Sequence, residues 1–151
     1  MTTVVGDLTY EELLKEIEET SWLTWRDEWK TLCDILGIRY ISTSFGENVH
    51  AIRNHFRRLG YFVSVELTDD ELIFTENKVL APRSHELLVM VFNAMLMSIQ
   101  FDIYSSIRRE YELTGLTKYQ GNEKFKNFTK KQLMEHSVNV AIDRFNKYFK
   151  E

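Results

Sequence analysis

Five side chains in residues 49–59, VHAIRNHFRRL, have the types and spacing of a nucleic-acid contact surface: His50, Arg53, Asn54, Arg57 and Arg58. On a helix turning about 100° per residue, His50, Asn54, Arg57 and Arg58 share one side. Val49, Ile52, Phe56 and Leu59 share the opposite side, with Arg53 flanking the basic one. No acid interrupts the run from His50 to Arg58. The arginine fork matches the acceptor pair on a guanine edge, asparagine matches adenine, and further guanidinium groups meet phosphate oxygens. The same face also suits a plain solvated surface or a protein-docking surface.

Other constellations are weaker. In TKYQGNEKFKNFTKK, Lys118, Lys124, Lys126, Lys130 and Lys131 alternate with Tyr119, Phe125 and Phe128. Such interleaving can track a single strand, with rings on bases and lysines on phosphates. More often such a loop pins its aromatics onto the core while its lysines stay in water. Asp69, Asp70, Glu76 and Lys78 contain the acid and Glu-x-Lys pattern of a magnesium-dependent nuclease, but the acids crowd a predicted hairpin tip. The four histidines, His50, His55, His85 and His136, form no HExxH and no i, i+4 pair, so no zinc site is expected. There is no GxxxxGK[ST], GxGxxG or GxSxG motif. Cys33 has no sequence-local histidine and reads as a structural thiol. No catalytic residue, metal or cofactor is assigned, and a non-enzymatic protein is expected.

The elements that position these residues are marked by capping signals. Thr9 and Glu12 form a capping box for a helix to about Thr20, with Leu13, Leu14 and Ile17 inward. Its other face holds Glu11, Glu12, Glu16, Glu18 and Glu19, opposed only by Lys15. Thr24 and Asp27 open a second helix with the stripe Trp25, Trp29, Leu32 and Leu36, closed by Gly37. Ser44 and Glu47 cap the third helix, which Gly60 ends. Residues 61–67 and 72–76 read as strands around Thr68, Asp69, Asp70 and Glu71, a connection without Asn-Gly or Asp-Gly.

Pro82 and Ser84 announce a long helix to about Leu113, ending near Gly115. Its first half is apolar nearly all round and reads as a buried pillar; Asn93, Ser98 and Gln100 break the run below the roughly 20 residues of a membrane span. Its second half turns Ile103, Ile107 and Tyr111 inward and Arg108, Arg109 and Glu110 outward. Residues 116–127 form a polar connection. Thr129 and Gln132 then cap a last helix with the stripe Met134, Val138, Ala141, Phe145 and Tyr148 or Phe149.

The predicted fold is therefore mainly α with one small β-hairpin, a single domain over 1–151. Residues 9–78 supply three helices and the hairpin; residues 84–150 supply the long and terminal helices. In element order, residues 9–78 resemble a winged helix-turn-helix module, packed on the long central helix and the C-terminal helix. The resemblance implies that residues 49–59 are the recognition helix and 61–76 the wing. It also implies that the last two helices dimerise. The second helix and the connection 38–43 are long for that pattern, and the wing tip TDDE is acidic.

At 151 residues the chain can bury roughly two-thirds of its unfolded surface. Its net charge of −4 argues against wholesale coating of nucleic acid and leaves room for a local basic face. A lone cysteine excludes an intrachain disulfide and fits a reducing, cytoplasmic setting, and residues 1–7 lack the pattern of a secretory signal. Two functions are expected. The first is a DNA-binding transcription regulator, a homodimer in the winged-helix pattern, acting through His50, Arg53, Asn54, Arg57 and Arg58. The second is a protein-binding adaptor or inhibitor acting through Glu12, Glu16, Glu19 and Trp22. No membrane partner is expected.

Overall fold

The computed structural model describes residues 10–20, 22–42, 45–80, 83–114 and 130–151; the side chains of 10, 22–25, 45, 110–114 and 130 lie outside that description. Among the described residues the elements are α1 (Tyr10–Glu19), α2 (Trp22–Leu36), α3 (Phe45–Arg58), β1 (Val63–Thr68), β2 (Glu71–Glu76), α4 (Arg83–Thr114) and α5 (Lys130–Phe149). The fold is mainly helical with one antiparallel hairpin, as the sequence predicts. Thr9, Ser44, Pro82, Thr129 and the connection 116–127 lie outside the described residues. The chain divides into two compact units, one of residues 1–24 and 96–140, the other of residues 25–95 and 141–151.

In the first unit, α1 turns Leu13 and Ile17 onto Tyr104, Ile107 and Leu133, with Phe101 and Ile103 at the margin. Leu14 does not join them and stays 40% exposed, because a short helix can aim only one i, i+4 row at a single partner surface. The Tyr104 hydroxyl is pushed up to about 12, first by burial and then by the nearby charge of Glu16. Arg108, expected outward, is half-buried, whereas Arg109 is exposed.

Two assignments shift along α5. The buried row runs through Leu133 and Ser137, then Ala141, Phe145 and Phe149; Met134 is 38% exposed and Val138 half-buried. The i, i+4 row is unbroken once Ser137 is admitted to it. Its hydroxyl donates to the Leu133 carbonyl at 2.8 Å, so the buried oxygen is satisfied locally.

The helix α2 starts at Trp22, two residues before the expected Thr24, and from residue 25 on it belongs to the second unit. Neither Trp22 nor Leu23 breaks a helix, so the cap-like Thr24 and Asp27 are carried into its first turns. Trp29, Leu32 and Cys33 are buried. Burial, then the charge of Asp34, pushes the Cys33 thiol up, making it a poorer nucleophile. α2 and α3 end alike: Gly37 (φ +69°) and Gly60 (φ +64°) adopt the left-handed conformation. The next residues close the turn, Ile38 N–H on the Cys33 carbonyl at 2.8 Å and Tyr61 N–H on the Phe56 carbonyl at 3.0 Å. The Phe56 and Tyr61 rings meet at 5.5 Å across the second of these turns. Leu59 lies past the end of α3 and is 46% exposed, so it does not continue the stripe of Val49, Ile52 and Phe56.

The hairpin is tighter than expected. Thr68 pairs with Glu71, leaving a two-residue turn of Asp69 (φ 51°) and Asp70 (φ 63°). Positive φ at both positions is the type I′ signature, and aspartate tolerates it better than most residues. Val63 and Val65 are buried, and Phe74 stacks edge-on against Phe92 and Phe145. Around this aromatic cluster α4 buries Leu87, Leu88, Val91, Ala94 and Met95. Residues Arg83–Arg109 are long and apolar enough to cross a membrane by length and composition, and 50% of that apolar window is buried inside the protein.

Candidate nucleic-acid interface

The basic face is set by the ends of α3. At its start, the fully buried Asn48 accepts the Ile41 N–H on Oδ1 at 2.9 Å and donates Nδ2 to the Ile41 carbonyl at 2.8 Å. That amide fixes the connection entering the helix. At its end the Gly60 turn sends the chain directly into β1. Val49, Ile52 and Phe56 anchor the inner side.

His50, Asn54, Arg57 and Arg58 are all exposed, and the structure brings them to one side of α3 as the spacing predicts. Arg53 is only half-buried at their flank, and its Nε is enclosed with no hydrogen-bond partner among the described residues. Arg58 Nε donates to the Asn54 backbone carbonyl at 3.2 Å, which steadies the last turn without using the Asn54 side chain. The Arg57 guanidinium lies 5.9 Å from the centre of the Phe62 ring. His50 meets the Tyr148 ring edge-on at 5.1 Å, and His55 packs on Phe56. None of Arg53, Arg57 and Arg58 forms an ion pair with a described carboxylate. The positive charges in the last turn also complement the helix dipole, a stabilising role that needs no ligand.

Phe62 and Tyr148 shape this face and were not among the residues picked from the sequence. Phe62 reads there as part of a strand, and Tyr148 as one of two candidates for the α5 stripe. The neighbouring hairpin adds no positive charge: Glu66, Asp69, Asp70 and Glu71 are all exposed. This departs from a wing that grips phosphate.

The remaining candidates are dispersed. Asp70 lies in the turn just before β2 and Glu76 ends that strand, which leaves them roughly 17–20 Å apart at the usual rise per residue. Glu76 instead accepts the Tyr61 hydroxyl at 2.5 Å and approaches His85 at 4.0 Å. Burial, then that hydrogen bond and charge, hold the Tyr61 hydroxyl above its ordinary range. Asn77 clamps the hairpin base, accepting the Phe62 N–H and donating to the Gly60 carbonyl. No cluster of three or more potential metal ligands occurs among the described residues. Of the lysine-aromatic stretch only Lys131 has a described side chain, and it is exposed. On α1, Glu12 and Glu19 are exposed and Glu16 is half-buried; the Trp22 side chain lies outside the described residues. No known protein family, characterised protein or solved structure matches this chain.

Proposed function

We propose that this protein is a non-enzymatic, DNA-binding regulator that lays the outer face of α3 against a duplex. The observation that carries the reading is the exposed set His50, Asn54, Arg57 and Arg58, whose arginines no described carboxylate neutralises. The 14-residue helix is about 21 Å long, and a helix of this width fits the major groove. Arg57 and Arg58 contact phosphate or guanine, Asn54 reads an adenine edge, and His50 adds a polar contact one turn earlier. The acidic hairpin tip stays clear of the backbone, so α3 carries the contact without a wing in the neighbouring groove.

A fluorescence-anisotropy titration against mixed-sequence duplex tests this. Binding is expected below micromolar concentrations at low salt. The log–log slope of affinity against salt should be about −2 to −3, because two or three phosphates are neutralised. Absence of binding to any duplex at low salt would sink the proposal.

The exposed carboxylates of Glu11, Glu12, Glu18 and Glu19 on α1 support a second reading, a module that docks on a basic protein surface. Recovery of a stoichiometric partner that is lost when Glu12 and Glu19 are reversed to lysine would favour it.

A further inference from the structure

The chain leaving β2 is tied to the C-terminal end of α3. Asn77 makes the tie: its N–H donates to the Phe62 carbonyl at 3.0 Å, its Oδ1 accepts the Phe62 N–H at 2.8 Å, and its Nδ2 donates to the Gly60 carbonyl at 2.9 Å. These bonds fix where the next residue starts. That residue is Lys78, and its ammonium group lies against Gly60: a Cβ placed on the glycine would come within 3.2 Å of Nζ and 3.9 Å of Cε. Gly60 thus serves twice. Its positive φ of 64° closes α3, and its missing side chain leaves the room that the ammonium occupies. Lys78 is exposed and forms no hydrogen bond or ion pair with any described residue. Carbonyls at this helix end are already taken: Phe56 accepts from Leu59 and Tyr61, Arg57 from Gly60, and Gly60 from Asn77.

We infer that Lys78 is a further phosphate contact of the α3 interface, supplied by the segment after β2 and not by the acidic hairpin tip. The inference rests on the proposed duplex binding and names a residue that the outer face of α3 does not contain. Arg57 and Arg58 are exposed on the last turn before Gly60, and Lys78 brings its charge to the same helix end. Phe62 ties Arg57 to this corner: its ring centre lies 5.9 Å from the guanidinium, and Asn77 holds its backbone. Glu76, two residues before Lys78, is engaged by the Tyr61 hydroxyl and lies near His85. The shallow cleft that Phe62 and Asn77 line holds Glu76, Lys150 and Glu151, a net negative set, so no further phosphate is expected there. Lysine suits the role because its ammonium is a compact charge without the planar fork that reads a base edge. A duplex carries one charge per roughly 1.7 Å of its axis, so cations spread around a helix end meet separate phosphates.

Anisotropy titrations of the full chain against two labelled duplexes of unrelated sequence, across a series of salt concentrations, read the result. K78Q should bind about three- to tenfold more weakly at low salt, with a log–log salt slope shallower by about 0.9. The loss should be alike on both duplexes, because a phosphate carries no sequence information. K78R keeps the charge and should stay within about twofold of the parent. A lysine that only steadied the helix dipole would behave differently: K78Q would melt at a lower temperature and keep the parent slope, which would overturn the inference. K78R as weak as K78Q, or a loss confined to one duplex, would overturn it too. R57A/R58A, titrated alongside, separates the two failures. If that variant loses affinity and slope while K78Q matches the parent, Lys78 is no contact and the α3 reading stands. A parent that binds neither duplex at low salt overturns both.

Discussion

Replacing Arg57 and Arg58 together with alanine should weaken duplex binding by about 30- to 1,000-fold, on the order of 1–2 kcal/mol for each lost contact. The salt slope should become shallower by roughly 2, since each phosphate neutralised contributes about 0.9. The loss is interpretable because the two side chains support the fold only slightly. Both are exposed; Arg58 makes one solvent-facing bond to the Asn54 carbonyl, and Arg57 lies 5.9 Å from the centre of the Phe62 ring. Together these surface contacts amount to less than about 1 kcal/mol. Thermal melts of the double variant should nearly overlay those of the parent. An unchanged affinity and slope would assign the arginines to the helix dipole alone.

Phe145→Ala should be the most destabilising single change, costing about 3–5 kcal/mol in urea unfolding. The ring is fully buried and lies 5.8 Å from Phe74, 6.0 Å from Phe92 and 4.9 Å from Phe149. Removing it leaves a cavity and abolishes three aromatic contacts at once. The effect should reach the candidate interface, because the same turn of α5 carries Asn146, which caps β1, and Tyr148, which meets His50. Phe145→Leu keeps much of the volume and should cost well under half as much. Equal costs for the two variants would show that the cluster is not closely packed.

The elements were legible where the signal is local. Gly37 and Gly60 mark helix ends because a left-handed residue is needed there, and the basic side of α3 follows from angular spacing alone. Ambiguity entered where two registers fit one sequence. Along α5, hydrophobicity favours Met134 and Val138, yet the protein buries Leu133 and Ser137, a polar residue made harmless by a bond within its own helix. The sequence predicts a longer connection than the two-residue Asp69-Asp70 turn, because neither residue has the flexibility of glycine that usually announces a type I′ turn.

Tertiary clamps were not legible. Asn48, Asn77 and Asn146 each spend both amide groups on backbone, and the Asn146–Val65 pairing spans 81 residues. Nothing near Asn146 in the chain distinguishes it from the exposed Asn139. On α3, four of the five candidate residues share an exposed face, whereas Arg53 sits against the helix's inner boundary beside Ile52 and has its Nε enclosed. Angular spacing places a side chain on a helix; it does not say how far a neighbouring element rises around it.

Backbone amide chemical-shift mapping with a labelled protein and an unlabelled duplex asks most directly whether α3 is the contact surface. The account predicts that the largest shifts gather at His50, Asn54, Arg57 and Arg58, with Phe62 following and the hairpin tip at Asp69 and Asp70 unmoved. Shifts confined to α1, or spectra unaltered at saturating duplex and low salt, would contradict it.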